Sequence, residues 1–396
     1  MVKQSSLILS FLLAIWNRGD AYEIWKESCK EYGISDSNII GMTESLAPYY
    51  FTKKNDASCV VSIDIGGGSV DAVIFKDSKV QFALSSLFGC DVLWSGGQNL
   101  NSNDKSNPIY NHVKDTMISN LLCCKVGNND ALKKIQDGIL TENSDYSSIS
   151  IMNFWIYNDK IFGITKELKK KKNYAAAYVG HFYSILYNLA QAMKLKDVSI
   201  PTEITLSGNG SLYLSYIKSD LEEIAKEAFS LVYKDENIDR IKITLPEDNN
   251  IGGKEMTALG GLNYNEDKGK TIIDDKKFIY LGATLDQAQS FDIGKIDSQL
   301  INAENNELND SLVESICNNV INMQKGLTKV FNDLNIDQDD SFVYKYNECR
   351  TQLLELLKDK NLGPLHINNK RIKNSLFFIP LRQMIFKLEE SGVNNQ

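Results

Sequence analysis

Between Val60 and Phe75 the chain reads VVSIDIGGGSVDAVIF: an apolar strand, an aspartate, three glycines, Ser69 and a second apolar strand. In many phosphate-binding loops a glycine turn of this kind feeds a helix. Here Val70 to Phe75 is strand-like instead. Asp77-Ser78 then turns the chain into a third strand, along which Val80, Phe82 and Leu84 alternate. Gly66, Gly67 and Gly68 are therefore expected in a tight hairpin between antiparallel strands. Their backbone N–H groups can form an anion-binding nest with no Cβ to hold a phosphate away. Asp64, at the end of the first strand, would stand beside that anion, a sensible place for a carboxylate only if a cation comes too.

At 396 residues the chain is long enough for two or three domains with real cores. Its 43% hydrophobic and 24% charged residues are those of a soluble globular protein. The net charge of −8 argues against nucleic-acid binding, which draws its affinity from phosphate neutralisation. Seven cysteines without a CxxC spacing suggest neither a disulfide framework nor a zinc ribbon, and the adjacent Cys123 and Cys124 suit neither. The three histidines, His112, His181 and His366, are far apart, so a histidine-led metal site or triad is not expected. A reduced cytoplasmic location fits this cysteine usage. Leu7 to Trp16 is apolar but half of the roughly 20 residues a spanning helix needs. No small-x-small cleavage site follows it, so it is read as a buried strand, and no membrane association is expected.

Asp20 and Glu23 have capping-box spacing and open a helix expected to run to about Tyr32 and stop at Gly33, with Trp25, Cys29 and Tyr32 on one face. Thr43 to Phe51 is expected to be a short helix with Glu44 near its start, where the helix dipole favours a carboxylate. From about Asn99 to Asn173 the chain is polar and Asn/Ser/Lys-rich, as in an inserted subdomain, and KELKKKK (Lys166 to Lys172) reads as a solvated helix face. Tyr174 to Leu195 is a long helix whose Val179, Phe182, Leu186, Leu189 and Met193 recur at helical spacing. A strand (Glu203 to Ser207), the turn GNGS, a helix (Leu221 to Tyr233), a strand (Ile241 to Leu245) and a helix (Lys254 to Leu262) follow. That order implies helices on both faces of a mixed sheet. Beyond Tyr264 the periods are mostly helical (Ile316, Val320, Met323, Leu327, Val330), with Pro364 and Pro380 as breakers and no catalytic pattern.

These segments together resemble the second half of an ATPase of the superfamily that unites actin, the seventy-kilodalton heat-shock chaperones and sugar kinases. IDIGGGSVDAVIF is similar to its second phosphate motif and LSGNGSLYLSYI to its adenosine motif. Glu44 in TESLAPYY resembles the glutamate of the first connecting helix. KEMTALGGLNY resembles the second connecting helix, with Ala258, Gly260 and Gly261 where two helices cross closely. FGCDVLWSGGQ is like the segment preceding the outer subdomain of the chaperones. The superfamily's first phosphate hairpin, an Asp-x-Gly element, has no counterpart upstream of Leu7. Asp267-Lys268-Gly269 and FDIGKIDS (Asp292 to Ser298) are poor permuted copies of it.

The resemblance implies an α/β fold: a ribonuclease H-like (actin-like ATPase) lobe with a mixed sheet flanked by helices, an inserted α+β subdomain and a mainly helical C-terminal region. The corresponding divisions are 1–59 (remnant of a first lobe and the first connecting helix), 60–98 with 196–264 (second-lobe core), 99–195 (inserted subdomain and return helix) and 265–396. It also implies a site for ATP or ADP with Mg²⁺. Gly66, Gly67, Gly68 and Ser69 would hold phosphate oxygens, and Asp64 would hold Mg²⁺ through water. Glu44 would orient the attacking water or hydroxyl. Gly208, Gly210 and Ser211 would let adenine and ribose approach the backbone. For Asp71, a strand-edge structural role and a phosphate-side role both stand. The expected function is a nucleotide-dependent switch, chaperone-like or cytoskeletal, with a protein partner on the C-terminal helices. It would hydrolyse ATP only if the missing hairpin is supplied. The alternatives are a non-catalytic interaction module that keeps the fold, and a phosphatase of the exopolyphosphatase type.

Overall fold

A computed structural model of the chain describes residues 7–11, 20–35, 39–52, 59–93, 109–111, 115, 174–234, 238, 241–249, 251–264, 278–280, 310–336, 342–358 and 377–394. The strands are β1 (Leu7–Phe11), β2 (Ile39–Thr43), β3 (Cys59–Ile65), β4 (Val70–Lys76), β5 (Lys79–Ser86), β6 (Glu203–Ser207), β7 (Lys242–Thr244) and β8 (Phe278–Tyr280). The helices are α1 (Asp20–Glu31), α2 (Ala47–Thr52), α3 (Ala175–Leu195), α4 (Leu221–Tyr233), α5 (Gly253–Leu262), α6 (Asp310–Asp333), α7 (Tyr346–Lys358) and α8 (Phe378–Asn394). A six-stranded mixed sheet runs β7-β6-β3-β4-β5-β8, antiparallel at β3/β4 and β4/β5 and parallel elsewhere. β1 and β2 form a separate parallel pair.

β3 is buried along its whole length because both faces of the sheet are covered, which is why its sequence is a nearly continuous apolar run. Its odd residues Val61, Ile63 and Ile65, with Ala72 and Ile74 of β4, enter the larger core with α3, α4, α6, α7 and α8. Val60, Val73, Phe75 and Ala83 face the other way, onto α2. There Tyr49 lies flat on Phe75, ring centroids 3.6 Å apart. α5 crosses α2 so closely that a Cβ on Gly260 would stand 1.9 Å from the Ala47 carbonyl oxygen. α3 is buried nearly all round, as a helix enclosed between other layers must be. The apolar residues of α6 (Ile316, Val320, Met323, Leu327, Val330) and α8 (Leu381, Met384, Ile385, Leu388) lie in the same core as the sheet.

The structure departs from the sequence reading at four places. Thr43 ends β2, and Glu44 lies in the turn before α2, which starts only at Ala47. Pro48 suits the start of that short helix, where an N–H is not needed. Tyr32 follows α1 and is 86% exposed, so it does not share a buried face with Cys29. Along β5, Val80 packs on the α2 side while Phe82 and Leu84 enter the larger core. A bulge opposite Ile74 and Phe75 inserts one residue and flips the alternation. β8 extends the sheet beside β5 from a region read as mostly helical. Most of the Asn99–Asn173 segment, the KELKKKK run and both candidate Asp-x-Gly copies lie outside the described residues. Among the described residues no helix is long and apolar enough to cross a membrane.

Candidate functional site

The pairing register sets a row of polar residues across four strands on the α2 face. Ser207 of β6 is opposite Asp64 of β3, Asp64 opposite Asp71 of β4, and Asp71 opposite Ser85 of β5. The next row down is Thr205, Ser62, Val73 and Ala83, and the one below it Glu203, Val60, Phe75 and Val80. The face thus grades from an apolar floor under Tyr49 to a polar end beside the glycine hairpin. Two carboxylates directly opposite one another on a sheet repel and cost stability. A fold that needed only a floor there would place apolar residues.

Both aspartates are 1% exposed. Ser207 Oγ donates to Asp64 Oδ2 at 3.0 Å, and Ser69 Oγ approaches Asp71 Oδ2 at 3.3 Å. Asp64 Oδ1 and Asp71 Oδ1 have no hydrogen-bond partner among the described residues. Burial pushes the Asp71 carboxyl up to about 7, against the hydrogen bond from Ser85 and with help from the Asp64 charge. Burial also raises Asp64, opposed first by the Lys254 ammonium. Lys254, in the first turn of α5, reaches across to Glu44, Nζ to Oε2 2.8 Å. Burial lowers the Lys254 pKa, but Asp64 and then Glu44 outweigh it and the net shift is upward. One ammonium therefore serves a group of three carboxylates, two of which hold their protons above the ordinary carboxylate range.

The glycine motifs meet. Gly208 has φ of +80°, which only glycine adopts cheaply, and a Cβ there would lie 2.3 Å from Ile65 O and 2.7 Å from Asp64 Oδ1. A Cβ on Gly210 would lie 2.4 Å from Gly66 O, and one on Gly253, at the start of α5, 2.4 Å from Gly208 O. The β6 turn is thus pressed onto the hairpin and α5 onto the turn, which brings Lys254 to the end of the polar row. At the hairpin tip, Gly66 N–H donates to Ser69 O at 2.8 Å. The N–H groups of Gly67 and Gly68 have no protein acceptor among the described residues. Ser211 Oγ donates to Gly208 O at 2.7 Å, which engages its hydroxyl inside the turn.

The structure therefore brings Asp64, Glu44, the hairpin of Gly66, Gly67, Gly68 and Ser69, and the turn of Gly208, Gly210 and Ser211 to one place. Asp71 joins them on an internal strand of the sheet, so its strand-edge reading is corrected. Hairpin arithmetic carries that signal: with Ile65 opposite Val70, Asp64 must face Asp71. Lys254 was read only as part of a crossing helix, and its lysine at the helix start is visible in KEMTALGG. Asp64, at 1% exposure, is closed off from solvent, with the Gly208 turn lying against its Oδ1.

No protein-family profile and no curated protein matches the chain. Among solved structures it is similar to a ROK family glucokinase from Streptomyces griseus, crystallised in complex with glucose and AMPPNP. The TM-score is 0.25 and the identity 11%, over 56% of this chain and 66% of the kinase. A superposition this loose says nothing about which atoms this chain binds, and the functional reading rests on the site's own residues.

Proposed function

We propose that this chain is a nucleotide-binding lobe of an actin-like or heat-shock-chaperone-like ATPase, taking ATP or ADP with Mg²⁺ at the glycine hairpin. The observation that supports it most is the buried, unpartnered Asp64 Oδ1 between the glycine hairpin and the Gly208 turn. A carboxylate oxygen left without a partner in the protein is costly, and a site that receives a cation gives a reason to keep it. Mg²⁺ keeps much of its hydration shell and would be held by Asp64 through water. The ion would neutralise phosphate charge. The free amides of Gly67 and Gly68 would donate to phosphate oxygens, and Glu44, once released from Lys254, would orient a water or hydroxyl. The outer faces of α6, α7 and α8 would carry a protein partner.

A second reading has its own support. The Gly66 amide and the Ser211 hydroxyl are satisfied inside the protein, Ser69 is turned to Asp71, and Asp64 is covered. Those features suit a module that keeps the fold without a ligand. Calorimetric titration with ATP and ADP, with and without Mg²⁺, beside Asp64→Ala separates the two. The nucleotide reading expects Mg²⁺-dependent binding that Asp64→Ala weakens by tenfold or more, about 1.4 kcal/mol. Binding indifferent to Asp64 refutes the site assignment, and no binding at all leaves the ligand-free module.

A further inference from the structure

The segment Leu87–Asp91 lies between the glycine hairpin and the C-terminal helix α8. On the hairpin side, Gly89, Cys90 and Asp91 donate their amides to the carbonyls of Gly68, Gly66 and Gly67, at 3.3, 3.0 and 2.8 Å. A Cβ on Gly89 would stand 2.3 Å from Gly67 O, so the two backbones are in contact. On the other side, Arg382 of α8 donates from Nη2 to Leu87 O. The Phe88 ring stacks on Phe378 of α8, centroids 4.3 Å apart, and on His181 of α3, 4.8 Å apart.

His181 of α3 holds the same segment. Its Nε2 is 3.1 Å from both Phe88 O and Gly89 O, and Nδ1 contacts Tyr213 OH. Because both neighbours of Nε2 are carbonyls, the proton is on Nε2, and Nδ1 accepts from Tyr213. Arg382 is 6% exposed, and the charge of the buried Asp91 favours its charged form against burial. Parting α8 from this segment would leave the buried guanidinium without its Leu87 acceptor, at a cost in stability.

We propose that Arg382 is a positioning residue for the glycine hairpin: through Leu87–Asp91 it sets the aim of the Gly67 and Gly68 amides and ties them to α8. The functional half of this inference rests on reading the hairpin as the phosphate-binding element, while the mechanical link stands apart from it. If the link holds, a change of hairpin conformation reaches the C-terminal helices by way of Arg382 and Phe378, which gives the site a defined output.

The test is hydrogen exchange on the full chain without nucleotide, comparing wild type with Arg382→Gln and Phe378→Leu. The amides of Gly66, Cys90 and Asp91 are expected to lose protection by about tenfold or more while those of β3 and α4 keep theirs. Unchanged protection at the hairpin, or a loss spread evenly over the fold as for a mere core ion pair, overturns the proposal. Phe378→Leu leaves Arg382 and its bond to Leu87 O in place and decides the matter should Arg382→Gln not fold. Arg382→Lys, which still donates to Leu87 O, is expected to restore part of the protection. Calorimetry on the same variants adds the functional half: affinity for Mg-ATP falls by about tenfold and affinity for adenosine stays within twofold, roughly the separation expected when only phosphate contacts are disturbed. Equal loss for both ligands overturns the positioning role. If wild type binds neither ligand, the proposed function fails, and the exchange experiment still decides whether Arg382 holds the hairpin.

Discussion

Replacing Asp71 with Asn should stabilise the protein, and only at the higher end of the pH range. In the folded chain Asp71 keeps its proton up to about pH 7, whereas its ordinary value is 3.8. Folding therefore takes up a proton between these values, and the native state loses stability as pH rises from about 4 to 7 and stays at the lower level above. The full displacement corresponds to about 4 kcal/mol at about 1.36 kcal/mol per tenfold. Between pH 5 and pH 8 the share that develops is about 3 kcal/mol. Asn cannot titrate and mimics the protonated acid in shape. It also gives up one acceptor for the hydroxyls of Ser69 and Ser85, a cost of about 1 kcal/mol at either pH. His181 works in the opposite direction: burial lowers its pKa to about 4, so stability is lost as pH falls below 6.5. Both chains carry that histidine, and it cancels in the comparison. Urea denaturation followed by far-ultraviolet circular dichroism at pH 5 and pH 8 measures the difference. The expected result is a stability gap, variant minus wild type, that widens by about 3 kcal/mol toward pH 8. A gap that is the same at both pH values, or one that narrows toward pH 8, refutes the buried-carboxylate reasoning.

Four further outcomes are expected. Lys254→Met removes an ion pair whose side chains are 45% and 20% exposed, so thermal unfolding at low salt should show a stability change of no more than about 1 kcal/mol from the pair itself. The same variant should move proton release from Asp64 to higher pH, readable by carboxyl carbon resonance, because the cation opposing its upward shift is gone. Gly208→Ala should cost at least about 2 kcal/mol, since it combines a left-handed backbone with a Cβ against Ile65 O, and denaturant midpoints give the value. Gly260→Ala should destabilise by a similar order by forcing α5 from α2, and a midpoint equal to wild type would show that the crossing relaxes freely.

Much of the sheet was legible because its signals are local. A buried strand reads as an apolar run, Asp77 and Ser78 adopt the positive φ that a two-residue hairpin turn needs, and the boundaries of α4 follow its own period. Glu44 was placed on the wrong element because a turn of only three residues, 44–46, separates β2 from the short α2. β8 was missed because its three residues are too few to show a period, and it exists only through pairing with β5. The Val80 flip depends on a bulge that no alternation count reveals.

The sequence by itself determined the hairpin, its aspartate and glycines, and the strand-turn after Glu203, because backbone sterics and hydrophobic period act over a few residues. Only the tertiary structure decided that Gly208 presses on Asp64 and that Lys254 reaches Glu44 across 210 positions of chain. It also decided that Arg382, 295 positions from Leu87, holds the segment on which the glycine hairpin rests. These contacts come from close packing of distant segments and from the need of buried charges for partners, and neither leaves a mark in the local sequence.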